Sequence, residues 1–123
     1  MRPTLTMNYD AGAAIAKRRI VKLSADFTVV QAAAATDAMF GVAAELDAVS
    51  GGRVDVHLSG IAEVEAGGTI TRGALVTSDA TGKAVAAAPA VGVNNRVIGT
   101  ALVSAVAGDV LPVLLGPHQI QGA

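Results

Sequence analysis

The sequence contains no cysteine and no tryptophan, and its only aromatic residues are one tyrosine and two phenylalanines. Without cysteine there is no disulfide framework, no thiolate nucleophile and no cysteine zinc site. Charged residues make up only 15% of the chain, which is low for a soluble monomer. No apolar run approaches the length of a membrane span. These absences predict a domain with no membrane partner, whose uncovered apolar surface contacts another protein or a sister subunit.

The charges that are present are distributed unevenly. Residues 1–22 carry five basic side chains against Asp10 alone, whereas the rest of the chain is net acidic. Residues 1–16 contain Pro3 and Gly12 and lack a strict periodicity, so we predict an extended N-terminal arm over 1–16. A basic arm on an acidic body suggests contact with an acidic surface, and a solvated, partly disordered terminus is the alternative interpretation.

The stretch Gly60–Val85 is typical of short β-strands joined by glycine turns. Gly67 and Gly68 accept positive φ at little steric cost, and Asp79 with Gly82 fits a closed turn. At 123 residues, the chain is expected to form one domain. We predict a single β-rich body over 17–115 and a C-terminal tail over 116–123. The predicted strands are Arg18–Leu23, Phe27–Gln31, Ala38–Ala43, Arg53–Leu58, Ile61–Glu65, Thr69–Thr71, Leu75–Thr77, Lys83–Val85, Arg96–Leu102 and Asp109–Leu115.

Three details refine this prediction. At most one or two short helical turns are expected: Ala32–Ala35 favours a loop with one helical turn, and Ala86–Asn95 is either a loop or a small helix that ends at Pro89. Pro112 cannot donate to a strand ladder, which predicts that the last strand lies at an edge or carries a bulge. Phe40–Ala43 and Ile98–Ala101 begin two similar strand, glycine turn, strand patterns, which predicts two similar hairpins unless the likeness is a coincidence of composition.

No constellation of reactive residues emerges from the sequence. Gly82 and Lys83 lack the upstream glycine and the following hydroxyl of a phosphate loop. His57 and His118 are far apart in sequence and fit exposed surface histidines better than a metal pair. Glu63 and Glu65 on one strand favour salt links at a wet face over acid–base catalysis. We therefore predict no catalytic, cofactor or metal residues, and the scarcity of aromatic platforms argues against nucleic-acid binding.

The succession of glycine and valine positions resembles the small head-decoration proteins of tailed phages, also called capsid cement proteins. The resemblance covers most of the chain. Its elements are Gly41-Val42-Ala43, Val54-Asp55-Val56, Gly60, Val64, Ala66-Gly67-Gly68, Ile70-Thr71-Arg72-Gly73, Leu75-Val76, Ser78-Asp79-Ala80-Thr81-Gly82, Ala84, Ile98-Gly99-Thr100-Ala101 and Gly108-Asp109-Val110.

The resemblance implies a mainly β fold, a small β-barrel or β-clip-like (β-tulip) domain with an extended N-terminal arm. It also implies a homotrimer on the outer surface of the virion capsid, made in the host cytoplasm, whose partner is the major capsid protein. We expect the segment Met1–Lys22, which contains the arm, to order on the coat subunits. Its expected contact residues are Leu5, Tyr9 and Ile15 as apolar anchors and Arg18, Arg19 and Lys22 as charges.

Two alternatives remain open. A trimeric β-clip ligand-binding or nucleotide-hydrolase-like domain would share the glycine-turned strands, although it would need clustered carboxylates or a stacking aromatic in a pocket. Another structural component of the virion, such as a tail or connector protein, would share the absence of reactive motifs.

Overall fold

A computed structural model describes residues 3–122, and these residues form nine β-strands and no helix. The mainly β fold expected from the sequence is therefore confirmed. The strands are β1 (Pro3–Ala11), β2 (Ile20–Ala25), β3 (Thr28–Gln31), β4 (Met39–Ala43), β5 (Arg53–Glu65), β6 (Leu75–Ser78), β7 (Ala84–Ala86), β8 (Asn94–Ala101) and β9 (Val110–Gln121).

Five of these strands close into a barrel in the order β1-β3-β2-β4-β5, with β5 pairing back onto β1. The β1–β5 pairing is antiparallel and runs from Pro3 opposite Gly60 to Asp10 opposite Arg53. On its other side β1 runs parallel to β3, but only through Asp10 and Ala11. Full closure pairs most strand edges of this half of the molecule.

The thirteen-residue strand β5 belongs to both halves of the fold. Its first part pairs with β1 and β4, and Ile61–Glu65 pairs with β9. Gly60, at φ 85°, lies where the neighbour changes, and only glycine adopts this backbone conformation without steric cost. The second sheet continues in the order β5-β9-β8-β6-β7, and a parallel bridge from Ala66 to Ala84 links its ends.

Two apolar cores fill the fold, one in each half. The barrel interior contains Val21, Val29, Val54 and Val56, whereas the second core gathers around Ile20, Ile98 and Leu111. Ile20 and Val21 are adjacent on β2 and both fully buried, because successive strand residues point to opposite faces. The start of β2, at Ile20 and Val21, therefore separates the two cores and is packed on both sides.

The backbone contains an internal duplication. We call β1–β4 with the first part of β5 the first unit, and the second part of β5 with β6–β9 the second unit. Ile15 forms an antiparallel bridge with Ala48 in the first unit, as Ile70 does with Ala105 in the second. The antiparallel pairs β4–β5 and β8–β9 occupy corresponding places. This arrangement confirms the two similar hairpins predicted from the sequence.

The positive φ angles repeat in the same way between the units. Arg18 at 58° corresponds to Gly73 at 87°, Gly51 at 81° to Gly108 at 92°, and Phe27 at 55° to Gly82 at 79°. All six values lie in the left-handed region of positive φ, where glycine is the ordinary residue. Both non-glycine residues with positive φ among residues 3–122 lie in the first unit.

Several predicted strands differ from those observed. Arg53–Leu58 and Ile61–Glu65 are one strand, because Gly60 continues the chain instead of reversing it. The strand predicted at Thr69–Thr71 is reduced to the single bridge at Ile70. The segment 116–121, predicted as a tail, continues β9 and pairs with β8. Most of the remaining strand ends shift by one or two residues.

Of the two alternatives predicted for the last strand, the bulge is present and the edge position is wrong. The register of the β8–β9 pairing shifts between Val97 and Gly99, where β9 has one extra residue. Strand β9 lies between β5 and β8, so Pro112 is in an interior strand. Pro112 is tolerated because it lies where β8 has already ended at Ala101, and its carbonyl accepts a hydrogen bond from Leu102 N–H at 3.1 Å. The backbone nitrogen of Pro112 faces the same side of β9 as its carbonyl. On that side the ladder with β8 has ended, so no N–H donor is required.

Candidate functional site

All three aromatic residues of the chain lie in the first unit and meet near one end of the barrel. The Tyr9 and Phe40 rings pack edge to face with centroids 5.5 Å apart. Tyr9 and Phe27 line a common groove. Aromatic side chains dominate binding energetics at protein interfaces because each carries a large rigid apolar area. Their concentration here marks this end of the barrel as a candidate binding surface.

The aromatic groove, as we call it, lies between β1 and the β2–β3 hairpin and encloses about 640 Å³. Its lining consists of Tyr9 and the segment Leu23–Phe27. Leu23 is 52% exposed and Phe27 is 73% exposed. Met7, also exposed, precedes Tyr9 at the strand period of two and extends the apolar side of β1. A groove of this size and composition suits an apolar side chain of a partner.

Phe27 occupies the tip of the β2–β3 hairpin in the left-handed region, at φ 55°. A residue with a Cβ pays about 1–2 kcal/mol for this conformation. The turn is fixed by the Asp10 N–H, which donates to the Phe27 carbonyl at 2.9 Å, and by the Thr28 hydroxyl, which donates to the Asp26 carbonyl at 3.2 Å. A strained backbone that holds an aromatic ring in solvent favours a binding role over a packing role.

The edge of β1 next to the groove is unpaired over most of its length. Asp10 directs its N–H across this edge to Phe27. Because backbone groups alternate sides along a strand, Asn8 and Thr6 direct theirs to the same edge. Within residues 3–122, no strand pairs with this part of β1 on that side. The backbone groups of Thr6 and Asn8 are therefore available to a partner strand.

The charges around the aromatic groove are acidic or neutralised. Asp26 lies on its lip, and its carboxylate has no hydrogen-bond or ion-pair partner in the described part of the chain. Asp10 pairs with Arg53 at 2.6 Å on the outer face of the barrel. Asn8 contacts Asp55 and Arg53 on that same face. The groove therefore offers one unpaired negative charge beside an apolar lining.

The six residues predicted for a capsid-binding arm lie in different environments. Leu5 is 49% exposed on β1 and Tyr9 lines the aromatic groove. Ile15, by contrast, is buried in the barrel core. The structure thus brings Leu5 and Tyr9 to one strand at the groove and places Ile15 inside the fold.

The three predicted basic contacts are held within the chain. Arg18 lies 3.6 Å from Glu63, and Arg19 lies 3.5 Å from Glu65. Lys22 contacts Asp37 at 2.9 Å. Burial acts to raise the pKa of Asp37, but the backbone N–H groups of Ala33 and Ala34 together with Lys22 hold it below its usual value. The salt links expected for Glu63 and Glu65 are confirmed; they are made by these arginines and, for Glu65, also by Lys83 at 3.3 Å.

Leu23, Asp26 and Phe27 were not predicted from the sequence as contact residues. Phe27 was assigned to a strand as one apolar residue among several, although it lies at the hairpin tip. The available signal was the position of Asp26 next to an aromatic, since aspartate favours turns. The second signal was the scarcity of aromatic residues, because each of the few that are present needs its own explanation.

Neither histidine supports a metal centre. His57 is 8% exposed, which corrects the expectation of a surface histidine, because β1 covers it and Thr6 Oγ1 lies 2.8 Å from its Nδ1. His118 is exposed on β9. No group of metal-ligating side chains occurs within residues 3–122. The same residues include no helix long and apolar enough to cross a membrane.

Comparison with known proteins identifies a solved structure with a similar fold and a family whose model matches the chain. The chain is similar to the crystal structure of the head fiber gp8.5 N base in bacteriophage phi29, with 21% identity and a TM-score of 0.69. The alignment covers 91% of this chain and 93% of that one, and at this identity it establishes the likeness of the fold alone. None of the curated proteins compared with the chain matches it. The phage cement protein family model matches residues 1–116. This match includes both units of the duplicated fold up to the middle of β9, and the chain belongs to the phage cement protein family.

Proposed function

We propose that the chain binds the outer surface of a phage capsid and cements neighbouring major capsid subunits as a homotrimer. Membership of the cement family supports a structural role in the virion capsid. The observation that carries the proposal further is the aromatic groove, where the strained and exposed Phe27 lies beside Leu23 and Tyr9. On this proposal the chain is a structural protein with no catalytic activity, cofactor or nucleic-acid partner.

The groove has the composition of a binding hot spot. Phe27 is held in solvent by its turn, so its ring loses little conformational freedom when a partner covers it. Its exposed area is on the order of 150 Å², and covering that area contributes about 3–4 kcal/mol at 25 cal/mol per Å². Leu23, Met7 and Leu5 add exposed apolar area around it.

The capsid contact proposed for segment 1–16 now depends on Leu5 and Tyr9. Over Pro3–Ala11 this segment is a barrel strand, so β1 presents its side chains on a rigid scaffold. Ile15, Arg18, Arg19 and Lys22 have contacts within the chain that account for their positions. We keep the division into an arm (1–16), a body (17–115) and a tail (116–123) only to state which segment, the arm, is proposed to contact the coat.

Trimerisation explains how modest contacts stabilise a shell. Each subunit of a trimer places one aromatic groove against the coat, and three linked grooves bind with an effective concentration that a single subunit lacks. The contacts would then bridge different capsid subunits, and separating those subunits would require breaking several contacts together.

The test is a decoration assay with shells purified from the phage that encodes the chain and stripped of it. We expect the purified protein to sediment with the shells, to saturate at a fixed ratio to the coat protein, and to raise the temperature at which shells disassemble. Light scattering is expected to give three times 12.1 kDa. Failure to bind intact shells, or binding without any gain in shell stability, would refute cementing.

A second experiment tests the alternative that the chain is another structural component of the virion. Immunogold labelling of intact virions with antibody against the chain is expected to decorate the head. Labelling confined to the tail or the connector would instead identify another virion component.

A further inference from the structure

The second unit contains its own version of the corner at which the aromatic groove lies, and there a segment of the first unit is already bound. Gly82 at the β6–β7 turn corresponds to Phe27 at the β2–β3 turn. Glu65 on β5 corresponds to Asp10 on β1, since each precedes the alanine that makes the parallel bridge. The two corners therefore have the same backbone parts.

In the second unit the segment Arg18–Ile20 is inserted between these parts. Glu65 N–H donates to the Arg18 carbonyl at 3.1 Å, and Ile20 N–H donates to the Gly82 carbonyl at 2.8 Å. The Arg19 guanidinium donates to the Thr81 carbonyl at 2.9 Å and lies 3.5 Å from the Glu65 carboxylate. This segment thus completes the corner through main-chain hydrogen bonds and a basic side chain.

Among residues 3–122, no such segment occupies the corresponding corner of the first unit. Asp10 N–H donates directly to the Phe27 carbonyl, and the edge of β1 over Thr6 and Asn8 lies unpaired beside the aromatic groove. At the place of Thr81, whose carbonyl receives the arginine in the second unit, the first unit has Asp26 with an unpartnered carboxylate. The open corner therefore offers backbone hydrogen bonds, an apolar groove and a negative charge together.

We propose that this corner binds an extended segment of the coat subunit, which adds as a strand to the free edge of β1. One apolar side chain of that segment enters the aromatic groove, and one basic side chain pairs with Asp26. The inference depends on the proposed capsid function and specifies its contact. Addition of a strand to an exposed edge obtains affinity from the main chain and specificity from pockets for side chains. We infer that the bound segment is basic, because Asp26 is negatively charged and because an arginine is bound at the equivalent corner of the second unit.

The test uses three variants and two matched controls in the shell-binding assay. Asn8→Pro removes the N–H that faces the free edge, while the hydrogen bonds of β1 to β5 are made by its neighbours Met7 and Tyr9. Asn8→Ala is its control, because it removes only the side chain. Asp26→Asn and Asp26→Arg neutralise and reverse the charge, and Glu45→Arg makes the same reversal outside the groove.

We expect Asn8→Pro to weaken shell binding about tenfold relative to Asn8→Ala, as loss of a backbone hydrogen bond at an interface predicts. Asp26→Asn should weaken binding a few-fold, and Asp26→Arg about tenfold at low salt with a smaller effect at high salt. Glu45→Arg should bind shells as the unsubstituted protein does. Thermal unfolding checks that each variant is folded, and the Asp26 variants keep the test decisive if Asn8→Pro does not fold.

The outcomes separate this inference from the function on which it depends. If the unsubstituted protein does not bind shells, the capsid function itself fails. If it binds and the folded Asn8 and Asp26 variants bind equally well, the inference fails and the capsid function stands. If these variants bind shells normally but lose the native trimer mass, the corner takes a second copy of the chain, which also overturns the inference.

Discussion

Replacing Phe27 by glycine should make the protein more stable and a weaker cement. The turn holds Phe27 at φ 55°, which costs about 1–2 kcal/mol for a residue with a Cβ. Glycine removes this cost but adds about 0.5–1 kcal/mol of backbone entropy lost on folding. The ring is 73% exposed, so its removal sacrifices little packing. The net expectation is a gain of about 0.5–1 kcal/mol, or about 2–5 °C in Tm for a domain of this size.

Phe27→Ala is the control that separates the ring from the strain. Alanine removes the aromatic side chain and keeps the Cβ, so we expect its Tm to fall at or slightly below that of the unsubstituted protein. Both variants should bind shells about 100- to 1000-fold more weakly, because covering the ring contributes about 3–4 kcal/mol, which corresponds to two to three factors of ten in affinity at about 1.4 kcal/mol each. Unfolding is followed by circular dichroism at one protein concentration, because the stability of an oligomer depends on concentration.

Two results would refute the reasoning about Phe27. A Tm of Phe27→Gly no higher than that of Phe27→Ala would mean that the backbone conformation is not strained. Shell affinities unchanged in both variants would mean that the ring is not a contact, whatever its effect on the fold.

Three further predictions concern the fold. Gly82→Ala should lower Tm by several degrees in thermal unfolding, because φ is 79° there and an added Cβ would lie 3.0 Å from the Ile20 carbonyl oxygen; an unchanged Tm would contradict the tight packing of that corner. Asp37→Asn should remove a component of stability that is present above the ordinary carboxyl pKa and lost as pH falls through the lowered pKa of folded Asp37; identical pH profiles of the denaturation midpoint below pH 5 would contradict it. Deletion of residues 1–11 should open the barrel and abolish cooperative unfolding, since β1 pairs with β5 from Pro3 to Asp10; a truncated chain with unchanged Tm would show that β1 is dispensable.

The sequence was sufficient for the strands whose alternation is clean. Arg53–Leu58 was predicted as a strand because Val54 and Val56 alternate with charged residues, and both valines are in the barrel core. The N-terminal strand was predicted as an arm although Leu5, Met7 and Tyr9 alternate with polar residues at the strand period of two, so this signal was present in the sequence and was not used. Its pairing depends on β5, some fifty residues away in sequence, and only tertiary structure provides that partner.

The aromatic groove was harder to predict than the strands. Tyr9 and Leu5 were identified as apolar anchors, but Phe27 was not, since its importance depends on a backbone angle that the sequence does not state. Arg18 and Arg19 were expected to contact a partner and instead join the two units. Glu63 and Glu65 could be identified as the partners of these arginines only from the structure, because the duplicated fold brings β5 beside the start of β2.

The divergence between Phe27 and Gly82 is the strongest argument for a function at this corner. The two residues occupy the same turn of a duplicated fold, with the same sign of φ. Gly82 is explained by its surroundings, because the Ile20 carbonyl and the Arg19 Cβ leave little room for a side chain. Nothing in the fold explains Phe27, which adopts a costly conformation and leaves its ring in solvent. Strain that the fold does not require is typical of functional sites. A partner that covers the ring would supply the stabilisation that the free protein lacks.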